Sequence, residues 1–262
     1  MWGLLVLAGI ISIILIAIYL SNRKQKKRIE AYKLPSNAHE LLVNMVSFYR
    51  LLDKKHQVVF RNRVKDFLAR TVITGVGNTR VTDLDRLLVG ASAIIPIFSF
   101  PDWRYNNITE VLLFENTFTK GDFNIDGSYR DLLGMVGSGS LQRQMLLSQK
   151  ALRAGFAEPR DANNTAIHEF VHLIDKADGA TDGVPQYLLE KPYVIPWMQY
   201  MQAEINNIKM GRSDINPYAA TNNAEFFAVV SEYFFERPFQ LKAHHPELYK
   251  MLEMMFMPAK KN

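Results

Sequence analysis

The 262-residue sequence contains no cysteine. That excludes disulfides, thiolate metal ligands and a cysteine nucleophile, and it leaves histidines and carboxylates as the protein ligands for any metal. An excess of basic charge is also missing from most of the chain. Of 31 Lys and Arg, six lie between Met1 and Pro35 (Arg23, Lys24, Lys26, Lys27, Arg28, Lys33), together with one of the 26 Asp and Glu, Glu30. The rest carries 25 of each sign, so the basic isoelectric point gives no support to nucleic-acid binding. Internal repeats and low-complexity tracts are absent too. With 48% apolar and 11% aromatic residues, the composition is that of a folding chain with enough length for one sizeable core.

Trp2 to Leu20 is an uncharged run of nineteen residues rich in Leu, Ile and Ala. As a helix it would be roughly 28 Å long, enough for a bilayer core. A cleaved signal peptide needs positive charge before the run and a small-residue cleavage site after it, and neither is present. The run therefore predicts a transmembrane anchor over residues 1–21. Residues 22–35 follow as a basic juxtamembrane linker whose charge is retained on the cytoplasmic side, with no lipid recognition required of it. The expected location is the inner (cytoplasmic) membrane, single-pass, with residues 36–262 facing the cytoplasm.

Helical spacing of apolar residues predicts helices over Ser36 to Leu52, around Val59 to Leu68, and from Leu84 to Ile94, interrupted by Pro96. Residues 36–95 form this helical part and 96–262 the catalytic part. β-type runs follow at Ile108 to Phe118 and Gln144 to Gln149, separated by a Gly and Ser rich stretch at Gly134 to Ser140. The second run is expected at the edge of the sheet. Downstream, Tyr200 to Lys209, Glu225 to Phe235 and Pro246 to Phe256 suit helices. The pattern is α+β.

The chemistry concentrates in HEFVH. His168 and His172 are four apart on a helix expected from about Asn164 to Lys176, so both imidazoles project from one face and can share an ion. Glu169 between them can take a proton from water as general base and pass it to a leaving amine. Such a string also arises by chance where the histidines are surface or satisfied core residues. Here Ile167, Phe170, Val171, Leu173 and Ile174 seat it in a core.

A catalytic zinc needs a third protein ligand. The other histidines lie in early helices (His39, His56) or before Pro246 (His244, His245), so a carboxylate is the better choice. Glu225 and Glu232 are seven apart on one face of an apolar helix, where an inward carboxylate demands a cationic partner. Spacing ranks Glu225 first and leaves Glu232 open. Asp175 could accept the outer ring proton of a ligand histidine or simply face solvent. Tyr218 could donate to a developing oxyanion.

The blocks HEFVHLIDKADGATDGVP, INPYAATNNAEFFAVVSEYFFERP and HPELYKML, with Trp197 between the first two, resemble the MtfA-like (Mlc titration factor A) zinc-dependent peptidases over roughly Ile94 to Phe256. The resemblance implies a zincin-like (gluzincin) metallopeptidase domain, with a small β-sheet and an active-site helix. It implies one zinc per chain on His168, His172 and Glu225, with Glu169 and Tyr218 as catalytic groups and Asp175 as the Asp after the second His. It further implies aminopeptidase-like action on a peptide or protein substrate. The family's namesake binds a glucose repressor, so a regulatory protein partner is the alternative role. The transmembrane run departs from the soluble family pattern, and it puts the repressor-binding role in doubt more than the chemistry.

Overall fold

The computed structural model describes residues 2–116, 118–119, 131–132, 134–136, 143–157 and 163–258, without the side chains of 2–6, 8, 9, 118, 119, 131, 132 and 134–136. Residues 137–140 of the Gly and Ser rich stretch lie outside the described residues, as does Thr117 of the first expected strand.

Helix α1 (Trp2–Ala31) runs through the apolar segment and on through the basic one, so the expected linker is helical as far as Ala31. Among the described residues no helix is long and apolar enough to cross a membrane. The expected span over Trp2 to Leu20 falls partly on side chains outside that set. The continuous described part, Ile10 to Leu20, is about 16 Å of helix before Arg23 and Lys24 follow.

Helices α2 (Ala38–Met45) and α3 (Ser47–Leu51) divide the first expected helix at Val46, which adopts an extended backbone. Helix α4 (Lys54–Arg70) is capped by the Asp53 side chain. Helix α5 (Asp83–Ile94) opens with a reciprocal Thr82/Asp85 capping box. Arg153 pairs with the buried Asp85 at 2.7 Å and ties this helix start to α6 (Gln149–Ala157).

The main sheet has the order β1-β2-β6-β5: β1 (Val72–Gly75), β2 (Glu110–Phe114) and β6 (Gln144–Ser148) are parallel, and β5 (Gly134–Val136) is antiparallel to β6. A separate ribbon pairs β3 (Phe118–Thr119) with β4 (Asp131–Leu132). The expectation that Gln144 to Gln149 forms an edge is corrected here. β6 lies between β2 and β5, and its buried apolar run Met145 to Leu147 is the continuous pattern of an interior strand.

Helix α7 (Thr165–Asp175) packs on β5, β6, α5 and α6. Phe170 anchors it, 5.5 Å from Phe67 and 5.2 Å from Tyr105 between ring centroids. Helix α8 (Lys191–Lys209) starts nine residues before the expected Tyr200 and accommodates Pro196 within its second turn. A 3₁₀ turn, Pro217–Ala220, leads into α9 (Asn223–Glu236), α10 (Pro238–His244) and α11 (Pro246–Phe256). One carboxylate pins this C-terminal part. Asp214 accepts from Tyr233 Oη at 2.8 Å and meets His244 Nδ1 and His245 Nε2 at 2.6 Å each. The two C-terminal histidines are thereby engaged next to the segment that delivers Tyr218.

Candidate metal centre

The N-terminus of α7 is built around Asn164. Its side-chain oxygen accepts from Ile167 N at 3.1 Å and caps the helix, its amide donates to Gly155 O at 3.1 Å, and its backbone N–H donates to Glu232 Oε2 at 2.6 Å. Gly155 permits this approach, since a Cβ there would stand 3.0 to 3.1 Å from Asn164 atoms. One buried residue thus fixes α7 against both α6 and α9.

The far end of α7 is fixed to the start of α9 by a second device. Asp175 Oδ2 accepts from Gly183 N at 2.9 Å, and Gly183 O accepts from Trp197 Nε1 at 2.7 Å. Gly183 has φ +76°, and a Cβ would lie 2.3 Å from Asn223 O, so a side chain is excluded there. The adjacent Asn222 caps α9 by accepting from Glu225 N at 2.9 Å, which sets Glu225 in the first helical turn.

These constraints bring His168, His172 and Glu225 together. His168 Nε2 is 3.1 Å from His172 Nε2 and 2.9 Å from Glu225 Oε2, and His172 Nε2 is 3.4 Å from the same oxygen. For four ligands about 2.0 to 2.1 Å from a tetrahedral zinc, the expected ligand-to-ligand separation is about 3.3 Å. The observed triangle fits it. The donor set fits too: with Nδ1 of His168 donating to Glu232 Oε1 at 2.6 Å, loss of the Nε2 proton to an incoming metal would leave an Nε2 lone pair facing the other two ligand atoms. Three acceptors converging on one point ask for a cation, and among the described residues these three form the group with metal-site geometry.

Burial alone would favour a neutral His168 and a protonated Glu225. The contacts between them outweigh it. Glu232 and Glu225 hold the His168 pKa well above its ordinary value, and hydrogen bonds to His168 and His172 hold Glu225 well below the usual carboxylate range. Glu169 is 6% exposed. Burial pushes its pKa up against the pull of the two histidines, the direction that makes a carboxylate a better base near neutrality. Tyr218, on the 3₁₀ turn, has its ring centroid 6.1 Å from that of His168.

Two expectations change. Glu232, considered as an alternative third ligand, binds the outer nitrogen of His168, and it is absent from the metal-site triangle. Asp175, considered as the acceptor for a ligand histidine, instead accepts from Gly183, while its Oδ1 and His172 Nδ1 are both buried without a hydrogen-bond partner. The physical reason is direction: Asp175 ends α7 where the chain turns away, whereas Glu232 comes from the crossing helix. Sequence reasoning gave Asn164 no role, although an Asn immediately before Thr165 is a recognisable cap signal.

Burial pushes Asp175 up to about 6 from an ordinary value of 3.8. Since the folded state holds this proton more tightly than the unfolded one, stability should fall as pH rises from about 4 through 6, by at most about 3 kcal/mol. Asp175→Asn keeps an acceptor for Gly183 and cannot ionise. Measured after chelation, its Tm should exceed that of the wild type at pH 8 and converge with it at pH 4. A constant difference across that range would count against an ionising Asp175.

A histidine pair and its glutamate on one core helix, met by a carboxylate from a second helix, define the HExxH class of metal-site proteins. Residues 20–257 match the family described as glucose-regulated metallo-peptidase M90, and the chain belongs to that family. It is 26% identical over 241 residues to an uncharacterized protein of Synechocystis sp., covering 88% of this chain and 87% of that one. It is 26% identical over 220 residues to Mlc titration factor A of Pectobacterium atrosepticum, covering 79% and 80%. Against Mlc titration factor A of Yersinia pestis the identity is 31% over 155 residues, 54% and 55% of the two chains. The resemblance read from the sequence blocks is therefore found across most of the chain.

Proposed function

We propose that this chain is a zinc metallopeptidase, tethered by α1, that hydrolyses peptide bonds. The reading is carried by the triangle of His168 Nε2, His172 Nε2 and Glu225 Oε2, with separations of 2.9 to 3.4 Å, on the helix that also bears Glu169. His168, His172 and Glu225 would hold one zinc, which when bound supplies Lewis acidity toward water and the scissile carbonyl. Glu169 takes a proton from the attacking water and delivers it to the leaving amine. Tyr218 donates its phenol proton as a hydrogen bond to the oxygen that gains charge. Glu232 holds His168 in the tautomer that leaves Nε2 free to ligate.

Among the described residues β5 ends the main sheet on the side that packs against α7, so a peptide substrate would extend alongside it as an added strand. Aminopeptidase-like action is part of the proposal. So is the membrane anchor facing the cytoplasm: α1 leaves Leu7, Ile10, Ile13, Leu15 and Leu20 at least half exposed, which a bilayer would cover. The names of the Pectobacterium and Yersinia relatives favour a second role, sequestration of a regulatory protein partner.

The purified full-length chain should carry about one zinc, and chelation should abolish cleavage of a chromogenic peptide with a free amino terminus, with activity returning on zinc addition. Metal-free protein that cleaves unchanged would sink the peptidase assignment. Recovery of the chain in the soluble fraction without detergent would remove the anchor.

A further inference from the structure

Arg63, on α4, has no ion-pair partner among the described residues. It is 8% exposed, and its Nη1 donates to Ile97 O at 2.7 Å and Phe98 O at 2.8 Å. Its Nη2 is buried with no hydrogen-bond partner, and among the described residues no carboxylate forms an ion pair with it. An unpaired polar group at such depth is costly, and a charged one more so. Burial, followed by the neighbouring Arg104, pulls its pKa down to about 10, so the guanidinium stays charged at neutral pH.

Arg63 lines a narrow cavity of about 20 Å³, room for a single oxygen-sized group, together with Arg70, Arg104, Asp66, Trp103 and Tyr105. Asp66 is the acidic member of this lining, and it is already engaged. Arg70 grips it with two nitrogens at 3.0 and 3.1 Å, and Arg104 Nε reaches the same carboxylate at 2.9 Å. Three guanidiniums against one carboxylate leave the cavity with an excess of two positive charges, and Asp102 lies close enough only to soften it from the surface. Arg70 and Arg104 are 33% and 39% exposed, so the charge continues from the buried end to an open mouth.

We propose that this cavity is an oxyanion site for a phosphate group, which enters with one oxygen toward Arg63 and is flanked at the mouth by Arg70 and Arg104. Guanidinium forks suit tetrahedral oxyanions, and the orphaned Nη2 is the donor such a ligand would satisfy. The site lies apart from HEFVH and does not rest on the peptidase reading. One contact indicates where it would operate: Arg70 Nη1 donates to Gln25 Oε1 of α1 at 2.6 Å. Gln25 is five residues past Leu20, about 7 to 8 Å of helix, which is headgroup depth for an anchored chain. The phosphate could thus come from a phospholipid headgroup or from solution.

The test titrates inorganic phosphate into the detergent-solubilised full-length chain by calorimetry, against chloride at equal ionic strength. One saturable site per chain is expected, weakened about tenfold or more in Arg63→Gln and in Arg104→Gln by loss of a charge-assisted hydrogen bond. If Arg63→Gln does not fold, Arg104→Gln at the exposed mouth decides. Absence of saturable binding, as an ordered water in the cavity would give, overturns the site, and so does binding unchanged in Arg104→Gln. Vesicles of phosphatidic acid in phosphatidylcholine then identify the source: competition with phosphate marks a lipid headgroup, and no competition marks free phosphate.

Discussion

Glu169→Gln should leave zinc content near one per chain and lower peptide cleavage by about 10²- to 10⁴-fold. Glu169 is buried beside the metal triangle without belonging to it, so the amide should not disturb the three ligand atoms. Glutamine keeps the volume and an oxygen acceptor but cannot carry a proton from water to the leaving amine. The loss should appear mainly in kcat, because the step removed is made in the transition state. The experiment also separates the two roles proposed above. A variant that loses cleavage but still engages a regulatory partner would assign the partner function to the fold. A variant that cleaves as well as wild type would remove Glu169 as the base.

The sequence was most legible where local rules and burial agree. On α7, the apolar spacing around HEFVH and the four-residue separation of the histidines both follow from a single helix. The apolar character of α9 similarly marked the helix that carries Glu225. Sheet order was not legible, because pairing joins residues distant in sequence: Val72 with Glu110, Glu110 with Gln144. Strand β1, four residues long, gives too short a pattern to distinguish from a helix end. The early start of α8 was hidden by Pro196, which usually breaks helices. Asp214 illustrates the same limit at the level of side chains. Nothing near it in sequence announces that His244 and His245 will close on it from about thirty residues away.

Spacing ranked Glu225 ahead of Glu232 without separating their roles, and substitution should now make the distinction quantitative. Both face α7 from one side of α9, and both touch His168: Glu225 at Nε2, 2.9 Å away, and Glu232 at Nδ1, 2.6 Å away. Only Glu225 also lies within 3.4 Å of His172 Nε2. A residue within reach of both inner nitrogens completes a ligand set, whereas one on the outer nitrogen sets tautomer and ring orientation. Glu232→Gln should therefore weaken zinc about 10- to 100-fold, the usual cost of losing an outer-shell partner. It should remain loadable at raised zinc concentration, with activity recovering in proportion. Glu225→Gln removes a ligand charge and should cost more than about 10²-fold in affinity, leaving a chain that copurifies without zinc. Calorimetric titration of zinc into the three chelated proteins distinguishes the roles, with far-UV circular dichroism recorded alongside to establish that each variant is folded. If Glu232→Gln proved the more damaging, the ligand assignment would pass to Glu232, and the 2.6 Å contact to Nδ1 would have to be given up on zinc binding.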